Sequence, residues 1–259
     1  MTTYDFTGRT AVVTGGSRGI GYATAALLAA SGADVILTAR DAARADDAAR
    51  TITDSLPDSA GSVTGTAAHA ADPAAARAVC DTAVDTTGRL DILVNNAGTN
   101  PAYGPVTDQD PALVAKVFEI NTTAPAVWTA AALAAGLGTV GTGAVVNIAS
   151  IGALTMEDGI GVYNASKAAL VHLTRQMARE LGPRVRVNSV CPGVVRTRLS
   201  EALWRDHEDT VTAVTPLARI GEPSDIADAV AFLAAPSTSW ITGANLVVDG
   251  GQLVGTVGH

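Results

Sequence analysis

At 259 residues the chain suits one large α/β domain or two small ones, and 47% hydrophobic with 16% charged residues argues against global disorder. A net charge of -8 argues against a nucleic-acid or anionic-membrane surface. The two cysteines, Cys80 and Cys191, stand far apart without metal-type spacing, which argues against a disulfide framework or zinc site and favours a reducing, cytoplasmic setting.

Residues 1–10 carry no apolar run of the secretory kind. Beyond them, short apolar runs alternate with longer helical patterns. Strands are expected at 11–13, 35–37, 63–67, 92–94, 145–148, 185–190 and 246–248. Most carry β-branched residues on both faces, the pattern of parallel strands covered by helices on either side. Helices are expected at 20–30, 42–56, 73–87, 111–135, 163–181 and 223–234. Asp72 before Pro73 reads as an N-cap with proline at N1, and Gly32 and Gly182 follow helix ends. Nothing from 120 to 156 is charged, long enough for a bilayer, but Pro125, Gly136, Gly138, Gly141 and Gly143 interrupt it. The reading is a buried Ala-rich helix, a glycine turn and a buried strand, with no membrane span. Residues 194–219 show no core-quality element and read as a substrate lid. No linker, repeat or low-complexity tail is visible. The alternation predicts a single-domain Rossmann-type doubly wound parallel sheet of about seven strands over 1–259.

Thr14-Gly15-Gly16-Ser17-Arg18-Gly19-Ile20-Gly21 lies between the first strand and first helix. Glycines there let the chain turn sharply and a pyrophosphate approach the backbone, while the helix N-terminus offers free N–H groups. The spacing is G-x-x-x-G-x-G, not the G-x-G-x-x-G of most dinucleotide-binding dehydrogenases. Further along come Asn95-Asn96-Ala97-Gly98 closing the fourth strand and Asn121 in the long helix. Ser150 stands at the end of the fifth strand, before Tyr163-Asn164-Ala165-Ser166-Lys167 opening a helix. Cys191-Pro192-Gly193 follows the sixth strand, and Ile241-Thr242-Gly243 and Val248-Asp249-Gly250-Gly251 complete the series.

In this order the motifs resemble the short-chain dehydrogenase/reductase family, β-ketoacyl reductase-like members among them, from residue 9 to 251. The resemblance implies a nicotinamide cofactor across the carboxyl edge of the sheet and a catalytic set of Asn121, Ser150, Tyr163 and Lys167. It also implies that Lys167 binds the nicotinamide ribose and Asn121 holds a relay water. Cofactor contacts implied in the same way are Gly15, Ser17, Arg18, Gly19, Ile20 and Gly21; Asp72 against the adenine; Asn96, Ala97 and Gly98; and Pro192, Gly193, Val195 and Thr197. The chemistry also follows from the residues. Hydride transfer to a ketone builds charge on oxygen, so a proton donor must stand beside it. Tyr163 and Lys167, four apart, share a helical face, and an ammonium there is expected to lower the phenol pKa. Ser150 suits the carbonyl oxygen. Cys191 reads as a small buried residue.

Selection of NAD uses an acid at the end of the second strand. Here that position is Ala39, followed by Arg40, with Arg18 in the glycine turn, so NADP(H) is preferred over NAD(H). The expected reaction is transfer of a hydride between NADP(H) and the carbonyl or secondary alcohol of a free small molecule. Competing readings are a 3-oxoacyl-carrier-protein reductase, an NAD-dependent alcohol or sugar dehydrogenase, and a non-catalytic cofactor-binding regulator. Carrier docking needs positive charge, yet residues 136–143 have none; Arg184 or Arg186 is left as the second docking candidate. Pocket candidates are Thr99, Asn100, Tyr103, Ile151, Ala153, Met156, Gly193 and Trp204. In relatives the helices at 111–135 and 163–181 pair across one subunit interface, here through Leu113, Val117, Leu133, Leu170, Leu173 and Met177, and the segment 246–254 often forms a second; two such contacts predict a homotetramer with dihedral symmetry.

Overall fold

Alternating side chains along each strand feed two separate cores, so both faces of one sheet must be covered. A computed structural model describes residues 4–57 and 60–255, which leaves the ends of the expected domain and part of the 1–10 reading outside. The strands are β1 (Thr10–Val13), β2 (Asp34–Ala39), β3 (Val63–Ala67), β4 (Ile92–Asn95), β5 (Gly143–Ile148), β6 (Val185–Pro192) and β7 (Asn245–Val248). They form one parallel seven-stranded sheet in the order β3-β2-β1-β4-β5-β6-β7. The helices are α1 (Gly19–Ala30), α2 (Ala42–Thr53), α3 (Pro73–Thr87), α4 (Pro111–Phe118), α5 (Ala124–Ala135), α6 (Gly161–Leu181), α7 (Glu201–Trp204), α8 (Glu208–Ala213) and α9 (Pro223–Ala234). On one face Ala11, Val13, Val35 and Leu37 meet α1, α2 and α9; on the other Val12, Ile36, Leu93 and Val145 meet α3, α5 and α6. Each buried aliphatic side chain contributes about 1.5–3 kcal/mol over its exposed state.

The boundaries obey local chemistry. Asp72 caps α3 by accepting from the Ala74 and Ala75 amides, with Pro73 in the first turn. Helix α2 stops at Thr53 rather than 56, because Leu56 precedes Pro57 and is steered out of the helical region. The single helix expected at 111–135 is divided. A π-helical turn, Glu119–Thr123, separates α4 from α5, and the Ala124 amide reaches back five residues to the Glu119 carbonyl. Pro125 has no N–H for the Asn121 carbonyl four residues back, and its ring would crowd that carbonyl. Widening the turn relieves the clash.

The uncharged stretch resolves into α5, a glycine turn and β5, and no helix among the described residues is long and apolar enough to cross a membrane. Residues 194–219 are not featureless: they carry α7 and α8. A bridge between Val195 and Gly221 ties their ends together, and Arg196 pairs with Glu208 and Glu222. Of the apolar residues expected to face a partner, three are buried within this chain and three keep part of their surface exposed. Val117 packs in a small core with Val162, Leu170 lies in another, and Met177 belongs to the α3–α5–α6 core. Leu113, Leu133 and Leu173 are partly buried against these clusters. Arg186 is no docking group. It is buried and donates to the carbonyls of Leu233, Ala234, Ala235 and Ile241, capping the end of α9.

Candidate active site

The sheet order reverses between β1 and β4, and at such a switch point the loops after neighbouring strands part to leave a crevice. A cleft of about 1240 Å³ opens there, lined from the carboxyl ends of β1, β2, β4, β5 and β6. Gly15, Ser17, Arg18, Gly19 and Ile20 form one wall, and Asn96, Ala97, Gly98, Pro192, Gly193, Val195 and Thr197 continue it. The turn is held by β4: Asn96 Nδ2 donates to the Thr14 and Gly15 carbonyls at 2.8 and 3.0 Å, and Thr14 Oγ1 accepts from the Asn96 and Ala97 amides. Gly21 does not line the cleft; it lets Asn96 in, since a Cβ there would stand 2.3 Å from Asn96 Nδ2. Gly19, at φ +56°, turns the chain into α1.

These residues fit a dinucleotide. The first turn of α1 has no side-chain cap and no acid, so its amides are free for a phosphate. Around the end of β2, Arg18, Arg40 and Arg44 are joined by Arg198 from the loop after β6. None of the four has an ion-pair partner among the described residues. Burial, then the positive fields of Arg198, Arg44 and Arg40, hold the Arg18 pKa below its usual value. The Asp41 carboxylate is occupied by the Arg44 amide as the cap of α2. Asp72 does not reach this wall. It lies five residues past β3 and caps α3, whereas Ala68, His69 and Ala70 line the cleft.

At the other end Ser150, Tyr163 and Lys167 come together. Ser150 starts a single 3-10 turn and accepts from the Gly152 amide at 3.1 Å, and its hydroxyl lies near enough to the Tyr163 hydroxyl to lower its pKa. Lys167 is 3% exposed; its Nζ donates to the Ile148 carbonyl at 2.7 Å and lies 5.8 Å from the Tyr163 ring centroid. Desolvation pushes the half-buried Tyr163 hydroxyl up to about 12; the Ser150 hydroxyl opposes this and the charge of Glu157 adds to it. Desolvation also brings Lys167 down to about 8. The expected lowering of the phenol pKa is therefore not met in the chain by itself: burial outweighs the Ser150 hydroxyl's effect. Asn121, fully buried in the π turn, sits behind the cleft wall. Its amide accepts from Thr99 N and donates to Thr99 O, both at 2.9 Å, and donates to Ser166 Oγ at 3.0 Å. It thereby fixes the segment after β4. Burial raises the Cys191 thiol pKa, as its place in the core leads one to expect.

Of the expected pocket residues, Thr99, Asn100, Ile151, Gly193 and Trp204 line the cleft; Ala153 does not, and Tyr103 and Met156 are 80% and 93% exposed outside it. Sequence reasoning missed His69, Arg44, Arg198 and Glu157. A basic residue within a helical turn of Arg40 was the available signal for Arg44.

A family model described as "Enoyl-(Acyl carrier protein) reductase" matches residues 15–252. Human dehydrogenase/reductase SDR family member 4 is 39% identical over 246 residues, covering 94% of this chain and 87% of that protein. The chain belongs to the short-chain dehydrogenase/reductase family. Its similarity to that member extends to Caenorhabditis elegans, at 34% identity over 95% of both chains. Among solved family structures, a short-chain type dehydrogenase/reductase from Mycobacterium ulcerans superposes with a TM-score of 0.92 at 31% identity, covering 97% of this chain and 92% of that one. A candidate NAD(P)-dependent gluconate 5-dehydrogenase from Beutenbergia cavernae, with NADP bound at low occupancy, gives 0.88 at 35% identity, covering 97% and 99%. As a short-chain dehydrogenase/reductase the chain is an oxidoreductase with a site for a nicotinamide cofactor.

Proposed function

We propose that the protein is an NADPH-dependent ketoreductase acting on a free small molecule. The observation that carries the cofactor choice is the group of four arginines without acid partners beyond β2. Guanidinium groups there suit a ribose 2′-phosphate, and the neighbouring Asp41 carboxylate forms no ion pair with them among the described residues and caps α2. Each charge-assisted hydrogen bond contributes about 1.5–3 kcal/mol, so Arg18→Ala and Arg40→Ala should each lower kcat/KM for NADPH by roughly ten- to a hundredfold. Efficiency with NADH should change little. Steady-state kinetics with both cofactors tests this, and equal wild-type efficiency with NADH and NADPH overturns the assignment.

A nicotinamide held in this cleft supplies or accepts the hydride. Ser150 hydrogen-bonds the carbonyl oxygen, and the Tyr163 hydroxyl gives it a proton as charge develops. With its pKa pushed up to about 12, the phenol is protonated across the neutral range, the state a proton donor needs. The Lys167 ammonium, present below about pH 8, faces the resulting phenolate. Asn121 keeps the segment after β4 in register beside Lys167.

A carrier-bound acyl chain is the reading suggested by the family model's description. Against it stand the absence of charged residues in the turn between α5 and β5 and the burial of Arg186. The overall charge of -8 also opposes an acidic carrier. It equally supports the absence of a nucleic-acid or membrane partner, and the two separate free cysteines support a cytoplasmic setting. Residues 194–219 act as the substrate lid in this proposal, because their ends are tied and Glu201, Leu203 and Trp204 of α7 line the cleft. A dihedral homotetramer is also proposed. It rests on exposed Trp240, Val247 and Val254 near the β7 edge, not on the faces of α4 to α6. Light scattering at micromolar concentration should give four chains; a monomer refutes the tetramer.

A further inference from the structure

Besides Lys167 of the catalytic set, the reacting end of the cleft holds four charged side chains: Lys116, Glu157, Arg196 and Glu201. Three are already neutralised. Lys116 Nζ pairs with Glu119 at 2.7 Å, Arg196 with Glu208 and Glu222, and Glu201 with Arg205. Glu157 has neither an ion pair nor a side-chain hydrogen bond among the described residues, although it stands in the same wall as Tyr163. Around it Ile160, Leu199, Leu203 and Trp204 contribute apolar surface. We infer that Glu157 is a specificity-determining residue, which favours ketones carrying an ammonium group on an apolar body and turns away ketones carrying a carboxylate.

The physical reason is the uneven neutralisation of the pocket. An arriving cation would pair with Glu157, the acid that this end of the cleft leaves without a partner among the described residues. An arriving anion would set two carboxylates in one partly dry cleft, where Coulomb energies exceed those in bulk water several-fold. The carboxyl feels such an environment: desolvation raises its pKa although the residue is accessible to solvent. Its field also reaches the Tyr163 hydroxyl, which places it close to the reacting atoms. The other cation at this end, Lys167, is 3% exposed and donates to the Ile148 carbonyl beside the Tyr163 ring, so an arriving substrate meets the solvent-accessible Glu157 carboxylate more readily than the ammonium.

This inference rests on the ketoreductase reading, and the test separates the two. Three para-substituted acetophenones, with methyl, aminomethyl and carboxylate groups, are compared at pH 7 as NADPH-dependent substrates. Each is also titrated by calorimetry into protein loaded with NADP+, so that binding is read without turnover. The expected result is a preference of at least about tenfold for the aminomethyl over the carboxylate ketone, a difference of about 1.4 kcal/mol. It should collapse in Glu157→Gln and invert in Glu157→Lys. Equal affinity for the two charged ketones, no measurable binding of the aminomethyl ketone, or a preference that survives in Glu157→Gln overturns the inference. Preferential binding without turnover of any of the three upholds the inference and counts against the ketoreductase reading instead.

Discussion

Tyr163→Phe should lower kcat for ketone reduction by at least about a hundredfold, the low end of what a positioned acid contributes. The substitution removes one oxygen and keeps the ring. The contact with Lys167 at 5.8 Å from the ring centroid and the packing at the start of α6 are retained. The arginine cluster and the glycine turn lie at the other end of the cleft, so NADPH affinity should move by no more than one ordinary hydrogen bond, about 0.5–1.5 kcal/mol. Loss should therefore appear in kcat and kcat/KM together, as expected when an interaction of the transition state is removed. Single-turnover hydride transfer followed at the NADPH absorbance, with cofactor binding measured in parallel, separates the effects. A variant that keeps more than half of wild-type turnover removes Tyr163 from the role of donor.

The sheet was legible because its inner strands are buried on both faces: Val12, Ile36, Leu93 and Val145 on one side alternate with Val13, Leu37, Val94 and Val146 on the other. Glycine spacing and the Tyr163–Lys167 interval carried the site for a similar reason, since each is a local rule about a turn or a helix face. What escaped is non-local. The π turn around Asn121 comes from a clash between Pro125 and a carbonyl, which hydrophobic periodicity over 111–135 cannot register. Arg198 joins Arg18 only because the loop after β6 folds onto the glycine turn, as the 3.3 Å between a Cβ at Gly19 and Thr197 Cγ2 records. Asp72 looked like an adenine contact on motif position, but β3 ends at Ala67 and the cleft is walled by the next three residues. Arg186 looked like a surface cation because its partners are four main-chain carbonyls some fifty residues away. Glu157 carries no motif; only the pairing of its three charged neighbours singles it out.

Lys167→Met should cost at least about a hundredfold in kcat, by taking the charge from beside the phenol, and yet stabilise the protein without cofactor at pH 7. Folding buries the ammonium and brings its pKa from 10.5 to about 8. A group whose folded pKa is lowered in this direction binds fewer protons folded than unfolded between those two values, so wild-type stability rises with pH there. Below about pH 8 the full penalty is present, roughly 3 kcal/mol at 1.36 kcal/mol per unit. Methionine removes that penalty and fills similar volume, but it leaves the Ile148 carbonyl without its donor, which costs about 1–3 kcal/mol. The net gain at pH 7 should be about 1 kcal/mol. Above pH 10.5 the lysine is neutral in both states and still donates, so the order should reverse and the variant should be the less stable. Urea unfolding of both proteins at the two pH values measures the difference directly, with other titrating groups common to each. A variant less stable than wild type at pH 7 means the buried ammonium is favoured by its surroundings, and that the cleft already holds compensating negative charge. The expected crossing means that the fold tolerates Lys167 at a cost, and that chemistry at the Tyr163 hydroxyl is what the lysine serves.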